Sequence, residues 1–466
     1  MWLLIAVATC GGFGLAWQKY SNFNGNTHDL GVFAYAFAQT MNGKFLPVYF
    51  VEGAGTLLNL HPNCILLLWL PVYTVWRSFY SLLFFQSLML AVSAWPLYLL
   101  AKRALKDDAA AVLIGATFLL FPTIASQHVN QIHDDQFALP FLMFAFYFFW
   151  TENFRKFVVT MVLACLAKET ITITTAAFGI YALILRRPWK WVAMPLVFSF
   201  AYFILAVKIM SAGITGIGAG LYSGMTYMDA YGKSPAEVLN TFLTRPGYVL
   251  QNTFSSLKLQ YLAKLFLPVL YLLPFLSAAI VMSLPILMLN LVSTNVAMTV
   301  IPWHYNVIAG GALLAASVLG IQKIADRFRE NHRRIVRACA AGMLVAALMG
   351  IQFWYQAEDY RRPPYQPALE QVVGTIPREA SVVCPAPMVA HFAGHDRVTT
   401  VGFILQYQTP DAFANYDFIV LDGNWRDYAA LKQRDALEWI QKTNLFDLVL
   451  NQQNVYVFQK RPQPAP

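Results

Sequence analysis

Residues 81–106 read SLLFFQSLMLAVSAWPLYLLAKRALK: 21 residues without a charge, then Lys102, Arg103 and Lys106 within five positions. A helix needs about 20 apolar residues to cross ~30 Å of hydrocarbon, and Lys and Arg collect on the cytoplasmic side of such spans. This stretch therefore supplies both a membrane span and its orientation. Working outward, MWLLIAVATCGGFGLAW at 1–17 and AAAVLIGATFLLFPTIA at 109–125 repeat the pattern. Over all 466 residues, 58% are hydrophobic and 12% charged, against roughly 45–50% and ~25% in a soluble domain. The chain reads as an all-α polytopic membrane protein, which excludes a conventional soluble enzyme.

The net charge of +9 is distributed as topology marks rather than as a nucleic-acid footprint, so no nucleic-acid partner is expected. Basic residues cluster at 102–106, at Arg155 and Lys156, at Arg186, Arg187 and Lys190, and between Lys323 and Arg337. With these four loops in the cytoplasm, 128–137 and 293–304 fall outside and contain no Lys or Arg. Alternation then predicts about eleven spans. Segment 63–76, too short and interrupted by Pro71, is expected at the outer interface with Trp69, Tyr73 and Trp76 as belt residues. Segment 157–185 is expected as a hairpin whose tip carries Lys168 and Glu169, and 259–275 with 276–292 as a second hairpin. The first apolar block reads as a retained anchor. Of the five Cys, only Cys64 and Cys384 could pair outside, and all five are expected free.

These boundaries make 1–355 a transmembrane domain with outer loops at 18–79, 128–137, 211–258 and 293–304. Residues 356–365 read as a linker. Residues 366–466 read as a small extracytoplasmic α/β domain, with SVVC, DFIVLD and VYVF as strands.

Polar side chains at an apolar boundary are costly and mark candidate function. GNTHDLGVF at 25–33 offers His28 and Asp29, followed in the same loop by Glu52 and His61; HVNQIHDDQFALP at 128–140 offers His128, His133, Asp134 and Asp135. A carboxylate here can act as general base on an acceptor hydroxyl, and Asp29, Asp134 and His133 together could hold a divalent cation. Lys168 before a helix start, with His304 in VIPWHYN, suits a phosphate group. Tyr222, Tyr227, Tyr231 and Asp229 could stack on or bind a sugar. Each also has a plainer reading: solvated loop residues for the histidines and tyrosines, a structural ion pair for Lys168, an interfacial anchor for His304. Phosphate-binding GxxxxGK[ST], HExxH, GxSxG and paired CxxC motifs are missing, which leaves ATP-driven transport, zinc proteolysis and serine hydrolysis without local support.

THDLGVFAYAF (27–37), LHPNCILLLWLPVYTVW (60–76), YLLAKRAL (98–105), IHDDQFALPFLMFAFYF (132–148) and LACLAKETITI (163–173) occur in an order that resembles the GT-C class of membrane glycosyltransferases. The pattern is most similar to a bacterial membrane-protein family of unknown function grouped with that class. The match is good over 20–185, moderate at HYNVIAGGALLAASVLGI (304–321) and loose over the last hundred residues. The resemblance implies transfer of a sugar from a polyprenyl-phosphate donor to an extracytoplasmic glycan, lipid or protein, in the inner membrane. It places Asp29 at the catalytic carboxylate, Asp134 or Asp135 at the second-loop acidic motif, and Lys168 near the donor phosphate. Many relatives carry two adjacent acidic residues in the first loop, whereas His28 and Leu30 flank Asp29 here. Two other classes stay open: a flippase or transporter of a lipid-linked saccharide, using Lys168, Glu169, Lys208 and Lys264, and a non-catalytic envelope assembly protein.

Overall fold

A computed structural model of the chain describes residues 1–25, 27–48, 56–213, 227–424 and 428–462. The stretch that opened the sequence reading forms one 27-residue run, Phe79–Leu105. Ser78 caps its start by accepting from the Tyr80 amide, and Lys106 ends it in the left-handed region at φ 53°. Asp107 then caps the next helix, Asp108–Leu120, through the Ala110 amide at 2.9 Å.

That corner gathers the basic loops. Asp107 pairs with Arg337 at 2.9 Å and Arg333 at 3.4 Å, which brings in the 323–337 cluster. Arg103 lies 5.4 Å over the Tyr147 ring, Lys156 lies 5.5 Å over Phe148, and Arg187 donates to the Phe149 carbonyl and pairs with Glu152. All four clusters thus sit at one end of the bundle, around the last turn of helix Asp134–Trp150. At 1.5 Å per residue, the 17 residues of that helix place Asp134 about 25 Å away at the opposite end.

Among the described residues four helices are long and apolar enough to cross a membrane: Phe79–Leu105, Trp189–Met210, His304–Arg327 and Arg329–Phe353. A bent pair, Asp108–Leu120 with Pro122–His128, makes a fifth if counted as one span. Eleven unbroken spans are not found, because other expected segments are shorter or interrupted. The clearest correction is 259–292. It is not a helical hairpin but helix Ser256–Phe266, a series of 3-10 turns, and helix Leu284–Val292. Pro268, Pro274 and Pro285 remove backbone donors and clash with the preceding turn, so a regular helix cannot run through. The turns pack against helix Val307–Arg327 at Gly320, where a Cβ would lie 2.0 Å from the Leu273 carbonyl oxygen. A second correction concerns 63–76. Trp69 is buried, stacked on Phe85 at 3.9 Å, and Tyr73 is buried against Phe37, so only Trp76 of the three remains outward.

After residue 356 the chain forms a five-stranded sheet: β1 Ser381–Cys384, β2 Arg397–Thr400, β3 Phe418–Asp422, β4 Phe446–Gln452 and β5 Val455–Lys460. The order is β2-β1-β3-β5-β4, parallel for β1 with β2 and β3, antiparallel for β5 with β3 and β4. This unit is docked rather than tethered. Helix α1, Trp2–Ser21, and helix α2, His28–Met41, carry its weight. Thr27 donates its hydroxyl to the Ala386 carbonyl at 2.6 Å, Gln39 donates to the His395 carbonyl at 2.7 Å, and Tyr35 donates to the Asp396 carbonyl at 2.9 Å. One hydrophobic core runs through the helices and on to Val382 and Val389. All five cysteines are free.

The docking depends on Gly31, where a Cβ would fall 2.1 Å from Cγ1 of Val389. Gly31→Ala is therefore expected to lower stability by about 1–3 kcal/mol through overpacking. Val389→Ala in the same chain should restore it, read by thermal unfolding and by protease cleavage within 356–365.

Candidate active site

The end of the bundle remote from the basic loops is where the polar motifs converge. The start of α2, the loop around His61, His133 with Asp134, Lys168 at the hairpin tip, Tyr227 and His304–Tyr305 line a cavity of about 180 Å3. Hydrogen bonding fixes each wall. Because the Thr27 hydroxyl oxygen accepts from the Ala390 amide rather than from α2, the first amides of α2 find another acceptor: Asp29 and Leu30 donate to Oε1 of Gln131 at 2.7 and 3.3 Å. The His133 amide donates to Gln136 Oε1 at 3.0 Å, and Gln136 donates in turn to Gln127 at 3.0 Å. Two loops more than a hundred residues apart are thereby locked together.

Within the cavity, Oδ2 of Asp29 lies 3.4 Å from Nε2 of His133, and the Asp29 side chain remains 37% exposed. The His133 ring stacks on His304 with centroids 3.5 Å apart, and His304 on Tyr305 at 3.9 Å. Lys168 Nζ and Asp135 Oδ2 form a buried ion pair at 3.0 Å, with His304 Nε2 3.9 Å from the same oxygen. Asp134 accepts from the Asn63 amide. His61 Nδ1 meets Glu169 Oε2 at 2.9 Å, tying the first loop to the hairpin tip.

Burial works against ionisation of Asp29, but the neighbouring His133 charge, its hydrogen bond, and the charges of His28 and Lys168 outweigh it and bring the carboxyl down to about 2. Asp29 is thus a carboxylate across the physiological range, able to accept a proton. For His61, burial favours the neutral ring, yet the Glu169 carboxylate and hydrogen bond push the net value above the ordinary 6.5.

Asp29, His133, Asp134, Lys168 and His304 therefore share one cavity, as does Tyr227. Asp135 stands behind it as the counterion of Lys168. His128 is not brought there: its ring is buried against Gly12 of α1, with neither ring nitrogen hydrogen-bonded. Tyr231 donates to the Val292 carbonyl and Asp229 faces Lys233, both away from the cavity. Glu52 and Tyr222 lie outside the described residues. Of the residues expected to hold a cation, Asp29 and His133 adjoin, but Asp134 turns to Asn63. Among the described residues no three His, Cys, Asp or Glu side chains gather as a metal site. Sequence reading missed Asn63, Gln131 and Tyr305. All three stand inside or beside the motifs, but they carry no charge to draw notice.

This architecture, a polytopic helical bundle with a docked α/β unit and a polar cavity at one end, has the fold of ArnT from Cupriavidus metallidurans. The crystal structure of ArnT bound to undecaprenyl phosphate superposes with a TM-score of 0.58 at 14% identity, covering 99% of each chain. The apo structure gives 0.55 at 12% identity, over 99% of this chain and 98% of that one. The GT-C resemblance of the motifs is thus met by the fold. The chain belongs to the DUF2079 family of predicted membrane proteins, whose model matches residues 19–457. No curated protein matches it.

Two outcomes follow from the ion pairs. Lys168→Met leaves Asp135 buried without its ammonium and is expected to cost about 3–5 kcal/mol. Adding Asp135→Leu should recover most of that loss in denaturant unfolding of the detergent-solubilised protein. The His61–Glu169 contribution, with His61 raised, is complete below pH 6.5 and fades as pH climbs through the raised value. The unfolding temperature should fall correspondingly on the alkaline side, and Glu169→Gln should remove that component of the slope.

Proposed function

We propose that the protein is an inner-membrane glycosyltransferase that moves a sugar from a polyprenyl-phosphate donor to an extracytoplasmic acceptor. The observation that carries this reading is the placement of the Asp29 carboxylate and the Lys168 ammonium on one cavity, at the end of the bundle opposite the four basic loops. The positive-inside rule puts that cavity, and the C-terminal sheet docked beside it, outside the cytoplasm. Further support comes from the shared fold with ArnT, solved with undecaprenyl phosphate.

In the reaction, Asp29 takes the proton of an acceptor hydroxyl as its oxygen attacks the anomeric carbon from the face opposite the phosphate. The bond between that carbon and the phosphate oxygen breaks, and the lipid phosphate leaves with the electron pair and an inverted product behind it. Lys168, pivoting from Asp135, meets the charge developing on the phosphate, with His304 beside it as a hydrogen-bond donor. His133, 3.4 Å from Asp29, orients the carboxylate and stabilises its charge. The Asp29 and Asp134 carboxylates face different partners, His133 and Asn63, and do not converge on a point. Asp134 instead holds Asn63 and the first loop against the cavity.

Reconstituted protein should release sugar from one member of a panel of radiolabelled polyprenyl-phosphate sugars. Asp29→Asn, isosteric and unable to accept the proton, should lower the rate by about 10²–10⁴-fold without unfolding the protein. Full activity in that variant would remove the mechanism. Translocation of labelled saccharide with no transfer product would identify a transporter instead.

A further inference from the structure

One cavity, with a larger cleft beyond it, adjoins the one around Asp29. His133 and His304 belong to its lining and also to that of a second cavity, of about 190 Å3, which Lys19 and Gly25 help to enclose. The stacked imidazoles are thus a shared wall. One residue before Gly25, Asn24 stands in the wall of a third and larger cleft, of about 810 Å3. It lies between the connection that follows α1, the 358–365 segment, and two turns of the C-terminal sheet. The first two spaces share a wall, and the third meets the second at the neighbouring residues Asn24 and Gly25.

The walls of the large cleft have a distinctive chemistry. Asn24, Gln453 and Asn454 contribute three side-chain amides with hydrogens to offer, Glu358 one carboxylate and Tyr365 one phenol ring; Asn424 also lines it but donates both amide hydrogens to Asp422 and the Gln453 carbonyl, and Pro364 is the sole apolar side chain among the described residues lining it. Among the described residues lining it there is no Lys or Arg. The backbone beneath is built, not loose. Gln453 and Asn454 take φ 51° and 63° as the two-residue turn joining β4 to β5. Asn424 donates to the Gln453 carbonyl at 2.7 Å, the Gly423 amide to the Asn454 carbonyl at 2.8 Å, and Asn24 to the Arg361 carbonyl at 2.5 Å. These bonds hold the cleft open between two parts of the fold.

An amide offers a donor and an acceptor in one plane, which matches a pair of neighbouring hydroxyls, and a tyrosine ring accepts the apolar face of a pyranose. The described lining carries a carboxylate and no cation, which disfavours a phosphate, a phospholipid headgroup or a nucleic acid. Its volume lies within the ~300–1,000 Å3 typical of ligand clefts. We infer that this cleft binds a neutral, hydroxyl-rich glycan, the distal part of an acceptor whose terminal hydroxyl reaches Asp29 past the His133–His304 pair. The assignment of that glycan as acceptor rests on the transferase reading; its binding in the cleft does not.

The test uses the full chain in lipid nanodiscs and a panel of neutral gluco-, galacto- and manno-oligosaccharides of two to six units, with binding read by saturation-transfer NMR. At least one oligosaccharide should bind wild type and Asp29→Asn alike. Glu358→Gln with Gln453→Ala should weaken it tenfold or more while leaving the unfolding temperature unchanged, since both side chains are exposed. If the double variant loses stability, Glu358→Gln alone decides. Binding of none of the panel to wild type, or equal binding to the cleft variants, would overturn the inference. Glycan binding without transfer from any donor would remove the transferase reading and leave the cleft assignment standing.

Discussion

The Lys168–Asp135 ion pair, buried at the end of the bundle opposite the basic loops, is the constraint around which the site is arranged. Neither charge can be left alone in so dry a place, so the hairpin tip that carries Lys168 must meet the helix start that carries Asp135. Once those two elements are joined, neighbouring residues have little freedom. Glu169 is directed at His61, which draws in the first loop; Asp134 is directed at Asn63, two residues further along that loop. The His133 ring, one residue before Asp134, is left facing Asp29 and His304. Charge pairing at one point thus organises four segments that are distant in sequence.

A second constraint operates at the other end. Asp107 gathers Arg333 and Arg337, and Arg187 binds the last turn of helix Asp134–Trp150, so the basic loops close the bundle where the ionisable site is farthest away. The same helix carries an acidic first turn and an end bound by arginine, with Pro140 and apolar residues between. That polarity gives the molecule two chemically different faces.

The docked sheet adds to this face rather than hanging from it. Thr27 donates to the Ala386 carbonyl and accepts from the Ala390 amide instead of capping α2, and Gln131 of the second loop then supplies the missing acceptor. A contact with the C-terminal unit is therefore coupled to the position of Asp29, two residues along. The same docking opens the polar cleft beside Asn24, so one interface serves both the shape of the site and its approach.

Much of this was legible in the residues. Apolar runs of membrane length, the four basic clusters and the strands at SVVC, DFIVLD and VYVF are local patterns that short-range physics decides. Asp29, His133, Asp134, Lys168 and His304 stood out because ionisable groups beside hydrocarbon are costly and so are rarely idle. What the chain alone could not reveal depends on distant partners. The turns of 259–292 pack Leu273 and Leu276 against Gly320; His128 is withdrawn into a contact with Gly12; Asp135 becomes a counterion while Asp134 holds Asn63. Sequence by itself determined which groups are expensive to bury and where helices run. Only the tertiary structure decided which of those groups meet, because pairing across more than a hundred residues is set by packing and not by spacing along the chain.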